Sequence, residues 1–166
     1  PSQNKNTMSK IIVQKFGGTS VGTVDRIDSV AKIIKNASKS NKIVVVVSAM
    51  GGETNRLVDL AKAFGDDHDK REFDALVSTG ETVSSALLTM ALHSKGVKAK
   101  SFSASQISMR TTSSYSKAKI LDVDAKKILD VVDSDTIPII TGFQGVTEGG
   151  DVTTLGRGGS DTTAVA

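Results

Sequence analysis

The chain has 166 residues, 38% of them hydrophobic and 23% charged, a balance typical of one soluble globular domain or part of a larger one. Its formal net charge of +3 is small and only 4% of the residues are aromatic, so nucleic-acid binding is not expected. Cysteine is absent, which excludes disulfides and thiol catalysis and fits a cytoplasmic protein. There is no run of about 18 apolar residues, so no membrane-spanning helix is predicted.

The first ten residues differ in character from the rest of the chain. Residues 1–10 are polar and lack the apolar stretch of a signal peptide. We therefore predict that they form a disordered extension or the remnant of a tag, with Met8 as a candidate start. The folded domain is predicted to span residues 11–166.

Helix and strand patterns alternate along this domain. After a strand that ends near Lys15, apolar residues at helical spacing predict a helix from 24 to 37. The run 43–47 is apolar at every position, which indicates a central strand covered on both faces. Val83, Leu87 and Met90 are expected to mark the buried face of a later helix. Helices are further predicted around 57–64, 71–78, 81–95 and 125–132, strands over 97–103, 118–123 and 136–141, a hairpin within 146–154, and a last helix capped by Ser160 or Asp161.

This alternation predicts an α/β fold, a three-layer αβα sandwich with a mainly parallel central sheet. Ligands of such sheets bind outside the carboxyl ends of the strands. Lys15, Ser48 and Gly142 are each predicted to lie at such an end. The sequence therefore predicts one binding cleft that these three residues share.

The strand end at Lys15 is followed at once by Gly17 and Gly18. Glycines let backbone N–H groups approach an anion closely, so a lysine and a helix start beside them favour a phosphate cradle. Neither the Walker pattern nor G-x-G-x-x-G is present here. On this stretch alone, a glycine turn with a solvated lysine is an equally good interpretation.

Two further groups of side chains are candidates for holding a substrate. Ser48 and Thr54 follow the most apolar strand and offer hydroxyls to a carboxylate, although either is also a common helix cap. Glu81 opens a helix, where the helix dipole alone favours it, but it is also suited to an ammonium group. Arg157 lies among glycines, where its guanidinium can grip a planar carboxylate with two parallel hydrogen bonds.

Four separated strings together resemble a known family. Lys-Phe-Gly-Gly-Thr-Ser-Val at 15–21, Ser-Ala-Met-Gly at 48–51, Ser-Thr-Gly-Glu at 78–81 and Leu-Gly-Arg-Gly-Gly-Ser-Asp at 155–161 are similar, in order and separation, to motifs of the aspartokinases, in the amino acid kinase family. The resemblance implies ATP-dependent phosphorylation of the L-aspartate β-carboxylate, with Mg2+, on the route to lysine, threonine and methionine.

The resemblance also implies roles for particular residues. Lys15 and Asp161 would be catalytic, and Lys15, Phe16, Gly17 and Gly18 would bind ATP. The aspartate-binding residues would be Ser48, Thr54, Glu81, Arg157, Gly158, Gly159 and Ser160. No residue is assigned to a metal.

One departure from the family concerns length. In aspartokinases the catalytic domain continues past the Gly-Ser-Asp motif, through segments that hold the adenosine and supply a second lysine, and regulatory ACT domains follow. We therefore expect the 166-residue chain alone to be inactive, and the full-length parent to be a cytoplasmic homo-oligomer. Two alternatives stay open: a sister kinase that acts on glutamate, acetylglutamate or uridylate, and a non-catalytic ligand-binding fragment.

Overall fold

A computed structural model describes residues 10–166, so the predicted extension lies, apart from Lys10, outside the described residues. The elements in chain order are β1 Ile11–Phe16, α1 Val24–Ala37, β2 Lys42–Val47, α2 Glu53–Lys62, α3 Lys70–Val77, α4 Thr79–Ser94, β3 Ala99–Phe102, β4 Arg110–Thr111, β5 Ile120–Asp122, α5 Ala125–Asp133, β6 Ile137–Thr141, β7 Gln144–Val146, β8 Val152–Thr154 and α6 Gly159–Val165. The predicted alternation of strands and helices is confirmed.

The central sheet, sheet A, has four parallel strands in the order β1-β2-β6-β3. In its register Phe16 lies beside Val47, and Val47 beside Thr141. The first three strands therefore end at the same edge, as the parallel fold predicted. The residues that follow them, among them Ser48 and Gly142, meet there.

Successive residues of β2 point to opposite faces of sheet A. Because consecutive residues of this strand are apolar, both faces need cover, and helices lie on each side of the sheet. Ile43, Val45 and Val47 pack with α1 and α4 in one buried cluster. Val44 and Val46 point to the opposite face, where α5 and the segment around Ile107 and Met109 cover them. At about 1.5–3 kcal/mol for each fully buried valine or isoleucine, these two clusters supply most of the driving force that holds the layers together. The three-layer prediction is confirmed.

A second, smaller sheet was not predicted. Sheet B has the order β5-β4-β7-β8, with one parallel and two antiparallel pairings. Its strand β4 lies within 104–116, a stretch that the sequence predicted to be irregular. The predicted hairpin is confirmed: β7 and β8 pair antiparallel around the turn at Gly149 and Gly150. β8 leads directly into the segment that carries Arg157.

The buried face of α4 differs from the prediction. Val83 and Met90 are exposed, whereas Ser84 and Leu88 are buried. The reason is the close approach of α4 to the end of β2, where the Ser84 hydroxyl donates a 2.6 Å hydrogen bond to the Ser48 carbonyl. A small side chain with a donor fits this contact better than a large apolar one.

Two terminal features of helices were also predicted wrongly. Phe64 lies beyond the end of α2 and is 92% exposed. The cap of α6 is Gly158, in the left-handed conformation that favours glycine, and not Ser160 or Asp161. Ser160 and Asp161 therefore have their side chains free for other partners, described below.

Residues 70–94, which comprise α3 and α4, are long and apolar enough by composition to cross a membrane, which the sequence analysis did not anticipate. Half of this stretch is buried inside the protein. Leu88 and Leu92 belong to the buried cluster between α1 and sheet A. The two helices of this stretch therefore contribute to the protein core.

Candidate active site

A cavity of about 770 Å³ lies at the edge of sheet A where β1, β2 and β6 end. Its wall is completed by the first turns of α2 and α4 and by the start of α6. The predicted site residues that line it are Lys15, Gly18, Ser48, Thr54, Glu81, Arg157, Gly158, Gly159, Ser160 and Asp161. Of the three residues that the strand-end argument predicted to share one cleft, Lys15 and Ser48 line this cavity, whereas Gly142 lies at the same sheet edge against the Ser160 side chain and does not line it.

Phe16 and Gly17, two of the predicted ATP-binding residues, do not line the cavity. The Phe16 side chain packs against the buried cluster on the α1 side of sheet A. Gly17 lies against Lys15, since a Cβ built on Gly17 would be 3.4 Å from the Lys15 Nζ. The Phe16 side chain therefore anchors the end of β1 in the core, and Gly17 leaves room for the Lys15 ammonium group.

Lys15 is held in the cavity by an ion pair. Its Nζ lies 2.9 Å from the Asp161 Oδ1, which joins the end of β1 to the first turn of α6. The Lys15 side chain is 30% exposed and that of Asp161 is 72% exposed, so the pair is open to solvent. An exposed pair contributes about 0–1 kcal/mol to stability. The ion pair instead fixes the position of the Lys15 ammonium group, which an incoming anion can reach.

Two glycine turns touch beside Lys15. A Cβ on Gly18 would lie 3.0 Å from the Ala49 carbonyl oxygen, and a Cβ on Gly51 would lie 3.3 Å from the Gly18 carbonyl oxygen. Contacts this tight leave no room for side chains, so glycine permits the two backbones to meet. The turns after β1 and β2 thereby form one continuous, narrow wall of backbone groups.

Glu81 is the buried charge of the cavity. The Ala49 N–H donates a 3.2 Å hydrogen bond to its Oε1, while its Oε2 is buried without a partner among the described residues. Burial raises the pKa of the Glu81 carboxyl to about 7. A carboxylate oxygen that lacks a partner at a cavity wall is suited to bind a cation, such as an ammonium group.

Ser48 and Ser160 meet across the cavity floor. The Ser48 hydroxyl donates a 2.8 Å hydrogen bond to the Ser160 Oγ. The chain of β6 passes close by: a Cβ on Gly142 would lie 2.7 Å from the same Oγ. The third predicted hydroxyl, Thr54, lies on the wall formed by α2. The cavity therefore offers neutral hydrogen-bonding groups between its charged ones.

Arg157 lies in a loop of unusual backbone conformation. Gly156 and Gly158, its two neighbours, have φ values of 81° and 75°, in the left-handed region that favours glycine. This conformation turns the chain from β8 towards α6 and places Arg157 on the rim of the cavity. A guanidinium and a buried carboxylate at one cavity are complementary to a molecule that carries both an anionic and a cationic group.

The sequence analysis missed the apolar part of the wall. Met50, Val58, Phe73, Val77 and Phe143 also line the cavity. Apolar surface with a few polar groups is typical of small-molecule sites. Local signals for these residues are weak, because a buried Phe or Val looks the same in a core and in a pocket wall.

A lysine beside glycine turns can hold a phosphate, and an unpartnered carboxylate can hold an ammonium, which together suit a kinase of a small amino-containing molecule. Comparison with known proteins agrees with this class. Residues 10–166 match the model of the amino acid kinase family, and the chain belongs to that family.

Individual relatives are more specific. The chain is 55% identical over 157 residues to an aspartate kinase of Stutzerimonas stutzeri, covering 94% of this chain and 38% of that protein. Among solved structures it resembles the aspartate kinase of Synechocystis with a TM-score of 0.79 and 44% identity, over 95% of this chain and 26% of that one. It also resembles E. coli aspartokinase III in complex with aspartate and ADP, with a TM-score of 0.79 and 26% identity, over 92% of this chain and 45% of that one. The chain thus spans less than half of each relative.

Proposed function

We propose that the protein to which this chain belongs is an aspartate kinase, which transfers the γ-phosphoryl group of ATP to the β-carboxylate of L-aspartate. The observation that carries the proposal is one cavity lined by Lys15, Glu81 and Arg157. The similarity to aspartate kinases, one of them solved with aspartate and ADP, supports it. The product, 4-phospho-L-aspartate, would enter lysine, threonine and methionine biosynthesis.

Binding of the amino acid depends on two charged side chains that line the cavity, Glu81 and Arg157. Glu81 pairs with the α-ammonium, because its Oε2 has no partner among the described residues. Arg157 binds a carboxylate, and Gly158 and Gly159 leave its approach open. The hydroxyls of Ser48, Thr54 and Ser160 complete the contacts. A charge-assisted hydrogen bond of this kind contributes about 1.5–3 kcal/mol.

Transfer requires cations around the phosphoryl group and an acceptor in line with it. An oxygen of the aspartate β-carboxylate forms the new bond to phosphorus, and the bond from phosphorus to the ADP oxygen breaks. Lys15 stabilises the charge on the transferring group, and Asp161 orients Lys15 through their 2.9 Å ion pair. Amides of the glycine wall at Gly18 approach the phosphates.

Magnesium would accompany the nucleotide and neutralise phosphate charge. No group of three acidic or histidine residues that could hold a metal is present within residues 10–166. Within these residues, Asp161 is the exposed carboxylate of the cavity that could assist in holding such an ion.

The scope of the proposal is the whole protein. Since the chain spans 38% of the aspartate kinase that it matches, we propose that these residues alone do not turn over ATP. We propose separately, from the family resemblance alone, that the full-length protein is a cytoplasmic homo-oligomer. The 166-residue chain, purified and verified by mass, should show no aspartate-dependent ATP consumption. Turnover by this chain would contradict the first of these two proposals.

The function itself is tested in the full-length protein with ATP, magnesium and each of four acceptors. L-Aspartate should support ADP release and form an acyl phosphate that hydroxylamine traps as a hydroxamate. Glutamate, acetylglutamate and uridylate should not. Turnover with one of these three in place of aspartate would identify a sister kinase. Binding of aspartate by calorimetry without turnover by any acceptor would indicate a non-catalytic protein.

A further inference from the structure

The most deeply buried carboxylate of the described residues lies outside the cavity lining. Asp74, on α3, is 0% exposed and accepts four hydrogen bonds. Its Oδ2 accepts from the backbone N–H groups of Ser116 and Thr154, both at 2.8 Å. Its Oδ1 accepts from their hydroxyls, at 3.1 Å from Ser116 and 2.9 Å from Thr154. One side chain thus fixes two segments far from it in sequence.

Both segments support the loop that carries Arg157. Thr154 ends β8, three residues before Arg157. Ser116 is held at a φ of 67°, and its carbonyl oxygen would lie 3.2 Å from a Cβ on Gly156. The two segments are also joined to each other, because the Ala118 N–H donates to the Thr154 carbonyl at 3.0 Å. Asp74 therefore determines where the Arg157 loop leaves sheet B.

The other end of the same helix leads to Glu81. α3 ends at Val77, and α4, which carries Glu81 in its first turn, begins at Thr79. Phe73 and Val77, neighbours of Asp74 on α3, line the cavity directly. Asp74 is thus the buried link between the helical unit that presents Glu81 and the loop that presents Arg157.

A second, exposed contact runs parallel to this link. Arg71, also on α3, pairs with Asp151 at 2.7 Å, and the Tyr115 hydroxyl donates to the same carboxylate at 3.0 Å. The hydrogen bond from Arg71 holds the pKa of the Asp151 carboxyl below its usual range. These side chains are in part solvent-exposed, so they contribute less than the buried hydrogen bonds of Asp74.

We infer that Asp74 is a positioning residue: by joining α3 to Ser116 and Thr154, it sets the separation of Glu81 and Arg157 and so the size of amino acid that the cavity accepts. This inference rests on the proposed function, in which those two side chains bind the two charged ends of one substrate. Asp74 itself touches no substrate.

Two substitutions distinguish positioning from charge. In Asp74→Asn, the amide oxygen can accept from both backbone N–H groups, and the amide NH2 can donate to both hydroxyls, because serine and threonine hydroxyls also accept. All four contacts survive without the charge. In Asp74→Ala the four donors lose their acceptor, and two of them are backbone groups fixed in the interior.

Steady-state kinetics of the full-length enzyme are the first measurement. Asp74→Ala should raise the KM for aspartate by about tenfold or more while the KM for ATP changes by less than about threefold. Asp74→Asn should stay within about threefold of wild type for both substrates. Thr154→Val, which removes one hydroxyl donor at constant volume, should give an intermediate KM for aspartate and serves if the alanine variant does not fold. Asp130→Ala, at an exposed ion pair on α5, is the matched control and should have no effect.

Hydrogen exchange without substrate is the second measurement. Amides of 155–160 should exchange faster in Asp74→Ala and Thr154→Val than in wild type, and at wild-type rates in Asp74→Asn. A normal KM for aspartate with unchanged exchange in the alanine and valine variants would overturn the inference while leaving the function intact. Equal losses in the asparagine and alanine variants would also overturn it, because charge would then be the cause. Absence of aspartate turnover in the wild type would instead refute the proposed function, and the role of Asp74 in aspartate selection with it.

Discussion

Replacement of Glu81 by glutamine should remove a pH dependence of stability. The folded state holds the Glu81 proton with a pKa of about 7 against an ordinary value of 4.5, because the carboxyl is buried. Each tenfold change in proton affinity corresponds to about 1.4 kcal/mol, so full ionisation costs the folded state about 3 kcal/mol. The free energy of unfolding of the wild type therefore loses this contribution as the pH rises from about 4.5 to about 7. Glutamine has the same shape and does not ionise.

Urea unfolding of both proteins, followed by circular dichroism between about pH 5 and about pH 8, measures this effect. Relative to the wild type, Glu81→Gln should gain stability by about 2–3 kcal/mol over that range. Glu53→Gln is the control: the hydrogen bond from Arg56 lowers the pKa of Glu53, so it stays ionised throughout and its substitution should add no slope. A constant difference between wild type and Glu81→Gln at all pH values would refute the reasoning.

Three further predictions concern single residues. Lys15→Ala in the full-length protein should lower kcat by about a hundredfold or more with little change in Tm, and a normal kcat would contradict its role. Arg157→Ala should weaken aspartate binding by about 1.5–3 kcal/mol in steady-state kinetics with a smaller effect on ATP, and the reverse pattern would show that the two subsites are exchanged. Gly80→Ala should destabilise the fold by about 1–3 kcal/mol in urea unfolding, because its Cβ would lie 2.8 Å from the Ala49 Cβ. Gly149→Ala, where the nearest atom would be 3.8 Å away, should not, and equal effects of the two would refute the packing argument.

The central architecture was predictable because the apolar pattern is unambiguous there. A strand such as β2, with five consecutive apolar residues, has no exposed face and requires helices on both sides. The positions of the strand ends follow from this parallel arrangement. Lys15, Ser48 and Gly142 are therefore expected at one edge of the sheet. These inferences depend only on local composition and on the geometry of parallel sheets.

Sheet B and the buried face of α4 were not predictable in the same way. The strands of sheet B have two or three residues each, too few for a period to be read, and long-range hydrogen bonds determine them. On α4 the close approach to β2 selects Ser84 over larger residues, whereas a hydrophobic pattern emphasises large side chains such as Met90. These features depend on contacts between residues that are far apart in the sequence.

Candidate site residues with a distinctive charge could be recognised in the sequence, whereas residues that support them from a distance could not. Arg157 is conspicuous because glycines flank it, and Lys15 because the pair Gly17 and Gly18 follows it closely. Asp74 lies between Phe73 and Ala75 in a predicted helix that also carries other charged residues, so its sequence neighbours do not distinguish it. Its four partners come from residues 116 and 154, which no local pattern connects to it.

The pairing of β2 with β6 has a consequence for synthesis. β2 ends at Val47 and its neighbour β6 begins at Ile137, about 90 residues later in the chain. At about 5–20 residues per second, the ribosome needs roughly 5 to 18 seconds to make the intervening segment. Until β6 is made, β1 is the one neighbour of the strand at 43–47 among the described strands of sheet A that precede residue 137. A pause in translation within this interval, or early termination before residue 137, would leave the backbone groups along the β6 side of this apolar strand unpaired, and such an edge is open to chaperones or to aggregation.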